Sequence, residues 1–261
     1  MNKVELSEIS LEESAFDYGD ESTIYKLKNR DSLYKAWLSK KDIERNNLKR
    51  EKIRNKVRKL ESINEKKDIF SFIVKPEELV TMEDTYTGYQ MEYFDGEKLD
   101  KYLKYKDTVI LLKKLRETLL KLYNKDVKCF DLNYSNILYR KENEELIFKI
   151  IDIDNMMVDD LSMDLYPPFI AKYLYEGGKL DEKAIIYAHN YLSITLLSMY
   201  DSRLSPNPYI PTYNRRLAKF SELIDRPKVD SLIDNEYIID SYDENDNLTR
   251  VLIWCLCFIY F

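Results

Sequence analysis

Short apolar runs of strand composition occupy the first third of the chain, and longer stretches with apolar residues every three or four positions fill the middle. Ser22–Lys28 and Ser32–Trp37 read as two strands around the turn residues Asn29-Arg30-Asp31. The period then changes: Lys41 to about Ile63 reads as a helix with Ile53, Val57 and Leu60 on one face. Residues 88–99 read as a strand closing on the Asp95-Gly96 turn. Between Asp107 and Lys125, the spacing of Leu112, Leu115, Leu119 and Leu122 predicts a core helix. Ile137–Tyr139 and Leu146–Ile151 then form a hairpin about the polar Lys141–Glu145. A second core helix is predicted for about Asp181 to Tyr200, after a segment from Val158 to Leu180 that contains Tyr166-Pro167-Pro168. Three prolines make Ser205–Pro211 irregular, and the apolar Val251–Phe261 is predicted as a last core helix. The order predicts an α+β fold, with a small antiparallel sheet and one major helix before about Tyr93 and a mainly helical region after it.

A chain of 261 residues, 44% of them hydrophobic, can bury a substantial core, and no repeat or low-complexity tract is evident. The net charge of −6 argues against nucleic-acid binding. Twenty-two tyrosines, scattered over strands and helices, fit core and surface packing rather than a base-stacking platform. Cys129, Cys255 and Cys257 are too few and too oddly placed for a disulfide framework, which points to a reduced cytoplasm. His189 is the only histidine and lies in an apolar segment, so histidine-dependent catalysis and multi-histidine metal sites are excluded. The N-terminus lacks the pattern of a signal peptide, and Val251–Phe261 is too short to span a bilayer, so no membrane span is expected. A surface for oligomerisation or membrane contact is the alternative for that last segment.

Charge is uneven along the chain. Residues 40–59 carry ten Lys or Arg against three acids. Such a helix is a solvated face, or else a surface for an acidic partner or for the chain's own acidic region.

The densest candidate chemistry is at residues 129–155. Asp131 lies five residues before Asn136, and Asp152 ends the second strand of the predicted hairpin. That hairpin would return Asn136 and Asp152 to the same end. An acid to orient a hydroxyl, with an amide and a second acid to hold divalent cations, suits phosphoryl transfer from a metal nucleotide, where positioning and charge neutralisation supply most of the catalysis. The competing explanation is that Asp131 and Asn136 merely cap turns.

Residues 129–155 resemble the catalytic loop and metal-binding segment of the protein-kinase superfamily, whose pattern is His-Arg-Asp-Leu-x-x-x-Asn followed by Asp-Phe-Gly. Here the residues are Cys129-Phe130-Asp131-Leu132-Asn133-Tyr134-Ser135-Asn136 and Asp152-Ile153-Asp154. The resemblance implies a two-lobe kinase-like fold, with residues 1–93 as a nucleotide-binding lobe and 94–261 as a catalytic and substrate-binding lobe. It implies Asp131 as catalytic base, Asn136 and Asp152 as metal ligands, and Lys35 on the α- and β-phosphates. Glu51 is the expected partner of Lys35, with Glu44 left open. Gly19 and Ser22 fall in the phosphate loop, and Met91, Glu92 and Phe94 in the hinge that borders the adenine pocket. The implied cofactors are ATP and Mg²⁺, with Mn²⁺ as the alternative metal.

The match covers about residues 15–200 and departs from the pattern in places. Tyr18-Gly19-Asp20-Glu21-Ser22-Thr23 has one glycine and two acids where close phosphate approach favours several glycines. Phe130 replaces the arginine on which a phosphorylated loop would dock. Asp154 stands where a glycine lets the metal-binding segment flip, and Asn133 where many serine/threonine kinases carry lysine. The expected activity is transfer of the γ-phosphoryl of ATP to a protein serine or threonine hydroxyl. Two alternatives stay open: a small-molecule kinase like the aminoglycoside and choline phosphotransferases, suggested by Ile151-Asp152-Ile153-Asp154, and a pseudokinase that binds a partner without turnover.

Overall fold

A computed structural model describes residues 1–19, 22–28, 30–37, 47–99 and 103–198. Six strands form one sheet in the order β1-β5-β6-β4-β3-β2: β1 (Asn2–Glu5), β2 (Asp17–Tyr18), β3 (Thr23–Lys26), β4 (Ser32–Ala36), β5 (Pro76–Met82) and β6 (Thr85–Glu92). All neighbours are antiparallel except β1, which pairs with β5 in parallel. The predicted strands within 22–28 and 32–37 are β3 and β4. The edge strand β1 was not foreseen, because Asn2-Lys3-Val4-Glu5 has no strand composition and takes its form from the free edge of β5.

Helix α1 (Asn47–Glu65) lies against this sheet and buries Ile53, Val57, Leu60 and Ile63, the face read from the spacing. Positions 41–46 of the predicted helix, with Glu44, lie outside the described residues. Helix α2 (Tyr105–Tyr123) buries Leu112, Leu115, Leu119 and Leu122 against helix α4 (Glu182–Ser198), which contributes Ala184, Ile185, Ala188 and Leu192. A shorter helix, α3 (Pro168–Tyr175), forms within the segment from Val158 to Leu180, for which no helix was expected. Pro168 is compatible with that helix because it stands in the first turn, where its missing N–H would have no intrahelical acceptor anyway. The predicted connection at 205–211, the apolar 251–261, Cys255 and Cys257 all lie outside the described residues.

Five short strands follow the sheet in the chain. The first, β7 (Glu97–Lys98), joins the outer edge of the predicted hairpin, which is β9 (Ile137–Glu142) paired with β10 (Glu145–Ile150). The other two, β8 (Val127–Lys128) and β11 (Met157–Val158), pair with each other and so bring together the two ends of the 129–155 segment. The hairpin turn is tighter than the sequence suggested. Asn143 and Glu144 both adopt positive φ, as do Glu83 and Asp84 between β5 and β6, the geometry of two-residue hairpins whose twist matches right-handed strands. Two main-chain hydrogen bonds, Val74 N–H to Ile150 C=O at 3.1 Å and Ile150 N–H to Phe72 C=O at 2.9 Å, tie this hairpin to the chain entering β5. One apolar cluster runs from Leu33 and Trp37 through α1 to α2 and α4, so sheet and helices share a core. No helix among the described residues is long and apolar enough to cross a membrane.

Candidate functional site

Alternation along β4 turns Lys35 inward. Leu33 and Trp37, two positions either side, belong to the main core, while Tyr34 packs on the opposite face with Leu27 and Val80. The strand pairs with β6 in the register Lys35 opposite Tyr89 and Ala36 opposite Gly88. A side chain at Gly88 would overlap the Lys35 carbonyl and the Tyr34 ring, so glycine is what lets β6 lie this close beneath Lys35. Lysine in a strand is usually exposed, yet only 6% of Lys35 is accessible. A buried ammonium requires partners, and here they are Asp152 and, at 2.7 Å, Asp154.

Asp154 is wholly buried and gathers four donors. Its Oδ1 accepts from Lys35 and, at 3.2 Å, from the Tyr89 hydroxyl. Its Oδ2 accepts from Trp37 Nε1 at 2.8 Å and lies 3.1 Å from Lys56 Nζ on α1. Burial opposes the charge on this carboxylate, but the two ammoniums outweigh it and hold its pKa well below the usual range. The same acids hold the Lys35 ammonium firmly protonated against its burial. Tyr89 is pushed up by burial and by Asp154, so its hydroxyl donates. Lys59, one turn beyond Lys56, is also buried, which pushes its pKa down.

Asp152 is the hinge of this segment. It adopts the left-handed conformation at φ 64° and opens a short 3₁₀ turn over Ile153–Asn155. That conformation costs a residue with a Cβ on the order of 1–2 kcal/mol and persists only where the surroundings impose it. Asp154, two residues on, has no positive φ, so its backbone accommodates an aspartate without strain.

The residues of the 131–136 loop meet Asp152 through the hairpin. Ile150 pairs with Ile137, and beyond that pair Ile151 N–H donates to the Asn136 carbonyl at 2.9 Å, so Asn136 and Asp152 emerge side by side. Turn capping is the work of a different residue. Asn133 Oδ1 accepts from the amides of Ser135 and Asn136 at 2.9 and 3.0 Å and from the Ser135 hydroxyl. Asp131 and Asn136 face each other instead: Asn136 Nδ2 donates to Asp131 Oδ2 at 3.3 Å and to its carbonyl at 3.1 Å. Asn155 and Asn133 donate to the same carboxylate at 3.4 Å each. Burial and the nearby Asp152 charge raise the Asp131 pKa, against these three amides.

With Asn136 Nδ2 turned to Asp131, its carbonyl oxygen is turned away from that acid. Amide and carboxylate oxygens suit a hard cation, and Mg²⁺ takes only one or two protein carboxylates because it keeps water and binds phosphate. Among the described residues no group of three or more acids, histidines or cysteines could hold a metal by itself. A cation at Asn136 and Asp152 would therefore take its remaining ligands from water or a bound phosphate.

The remaining expected residues divide. Glu51 is exposed on α1, and the acids that contact Lys35 are Asp152 and Asp154, which corrects the expected Lys35–Glu51 pair. The helix stripe that faces the site carries Lys56 where an acid was expected. Gly19 and Ser22 close the β2–β3 turn, with Gly19 N–H bonded to the Ser22 carbonyl at 2.8 Å, so that amide is spent within the turn; Asp20 and Glu21 lie outside the described residues. Met91 and Phe94 are buried at the end of β6, and Arg140 stacks on the Phe94 ring. The Glu92 N–H donates to the Lys75 carbonyl at 3.0 Å, so that amide is spent within the sheet. Its side chain binds Lys149 and the Lys75 amide. Phe130 is fully buried, and burial pushes the Cys129 thiol up and out of reactivity. His189 is buried and bonds through Nε2 to the Leu112 carbonyl, a contact between α4 and α2.

The sequence did not single out Trp37, Lys56, Tyr89 or Asn155, and it marked Asp154 only as standing at a glycine position, not as a partner of Lys35. One signal was legible: Lys56 falls at helical spacing among Ile53, Val57, Leu60 and Ile63, and a cation in a buried stripe requires a buried acid. Comparison with protein-family models gives no match, and a search of the curated proteins gives no significant match.

Proposed function

We propose that this chain is an ATP-dependent phosphotransferase with the two-lobe arrangement of protein kinases, which uses Mg²⁺ to pass the γ-phosphoryl group to a serine or threonine hydroxyl of a protein. The observation that carries this reading is the meeting of Asp131, Asn136 and Asp152 at one end of the β9–β10 hairpin, with Lys35 on the Asp152 carboxylate. Asp131 would accept or orient the hydroxyl proton, and its raised pKa makes it a better base than an ordinary aspartate. Asn136 and Asp152 would hold the cation, and Lys35 would leave Asp152 for the α- and β-phosphates when metal and nucleotide enter. A protein acceptor is favoured because α2 begins only seven residues after β7 ends, with no helical insertion there to wall off a small substrate. Ile151-Asp152-Ile153-Asp154 keeps the small-molecule kinase as the second reading.

The test is an assay with γ-labelled ATP and Mg²⁺ on the parent, Asp131→Asn and Asp152→Asn, with mixed proteins and, separately, small alcohols and amino sugars as acceptors. Label on protein, lost by orders of magnitude in both variants, supports the reading. Label on a small alcohol alone selects the second reading. Equal transfer by parent and variants removes the catalytic assignment, and no transfer with retained nucleotide binding leaves a pseudokinase.

A further inference from the structure

We infer that Asp154, rather than an acid of α1, is the residue that positions Lys35 for phosphate contact, and that Lys56 makes the placement of α1 part of the same device. This rests on the phosphotransferase reading. Lys35 has two acid partners, and in that reading Asp152 is also a metal ligand, so a bound cation competes directly with the ammonium for its carboxylate. The partner that remains throughout is Asp154, which no solvent reaches. Its own orientation is fixed from three elements at once, by Trp37 of the β4 edge, Tyr89 of β6 and Lys56 of α1. A carboxylate held by three further donors cannot follow Lys35 away from the site, so the lysine pivots about a fixed anion.

The polarity of the helix contact is thus inverted relative to the family resembled. There the helix brings an acid to the lysine; here the helix brings a second lysine, and the acid comes from the turn after Asp152. The consequence for control is preserved. Moving α1 away would withdraw Lys56 from Asp154 and disturb the anion on which Lys35 depends. Three further contacts tie the helix to the chain beyond that turn: Asn55 Nδ2 donates to the Ser162 carbonyl at 3.2 Å, the Ser62 hydroxyl to Asp159, and Lys66 Nζ, just past the helix end, to Asp159 at 3.0 Å. Asp154 is a positioning residue in this scheme, since it touches Lys35 and no reacting atom.

The experiment compares the parent with Asp154→Asn, Glu51→Gln and the double variant Asp154→Asn/Lys56→Glu, which moves the negative charge onto the helix. Three quantities are read: amine labelling of Lys35 in the nucleotide-free protein by mass spectrometry, calorimetric affinity for a non-hydrolysable ATP analogue with Mg²⁺, and kcat against KM for ATP. In Asp154→Asn, Lys35 labels faster, and analogue affinity falls and KM rises by about ten- to a hundredfold, the range for a lost hydrogen bond to a charged group. Glu51→Gln matches the parent in all three, and the double variant recovers part of the affinity. Should Asp154→Asn not fold, Asp154→Glu, which keeps the charge but displaces it, is expected to show the same faster labelling and weaker binding. Parent-like labelling and affinity in the Asp154 variants, or the full defect in Glu51→Gln, overturns this inference alone. A parent that binds no Mg²⁺ nucleotide overturns it together with the phosphotransferase reading.

Discussion

The indole N–H of Trp37 and the carboxylate of Asp154 meet at 2.8 Å inside the core, although 117 residues separate them. Trp37 leaves β4 with its ring tilted against Tyr89, and both aromatic residues donate to the same buried anion. Removing that anion by Asp154→Ala takes one acid from Lys35, which keeps Asp152, and one from Lys56. The expected loss is about 3–5 kcal/mol, the usual cost of breaking a buried ion pair from one side. Trp37→Phe keeps the anion and loses one donor to a charged group, so it should cost only about 1.5–3 kcal/mol. Urea denaturation of parent and variants measures both, and a smaller loss for Asp154→Ala than for Trp37→Phe would contradict the ranking.

Acid should expose the same interaction. The folded-state pKa of Asp154 lies below its unfolded value near 3.8. A depressed carboxylate pKa contributes stability that is fully present above the unfolded value and is lost as pH falls through the folded value. The stability difference between the parent and Asp154→Asn should therefore be constant from neutral pH down to about 5 and shrink below about 4. Denaturation midpoints taken across that range give the check, and a difference that grows on acidification would count against the ion-pair account.

Asp131 shifts the other way, since burial and the Asp152 charge raise it while the three amides resist. Asn155→Ala removes one of those amides. Its expected effect is a further rise in the Asp131 pKa, which moves the acid limb of kcat/KM to higher pH, with kcat on the alkaline side of that limb nearly unchanged. A pH–rate profile of the phosphoryl transfer reads this directly, and an acid limb displaced to lower pH would refute it.

The β9–β10 turn offers a prediction free of any chemistry. Glu144 has φ 66° and follows Asn143 at φ 47°. Asn-Gly is the preferred pair for such a turn, so Glu144→Gly should stabilise the chain by about 1 kcal/mol, observed as a rise of roughly 2–4 °C in Tm. Because Asn136 and Asp152 sit at the opposite end of the hairpin, nucleotide affinity should be unaffected.

Periodicity carried much of the fold. The faces of α1 and α2, the place of α4 and the pairing of β9 with β10 are local consequences of where apolar residues recur, so the order of residues is enough to show them. Elements whose form depends on a neighbour could not be read that way. Strand β1 exists because β5 has an open edge, and α3 starts on a proline whose effect depends on whether it begins a helix or interrupts one. The site divides in the same way. The approach of Asn136 to Asp152 follows from hairpin pairing and was legible from the residues alone.

What surrounds Lys35 was not legible, because burial decides which charges must pair and burial is a property of the packed chain. In the sequence, Glu51 is the expected acid, with Glu44 as the alternative. Helix α1 turns Glu51 to solvent and its inner face brings Lys56 to the core, where the acids on Lys35 are Asp152 and the Asp154 that the Asp152 turn carries inward. Residue order thus set the strands, the helices and the pair of residues at the hairpin end. The close packing of sheet, helix and turn alone determined which carboxylate holds the lysine, since an ion removed from water must find its partner within a few ångströms whatever the distance along the chain.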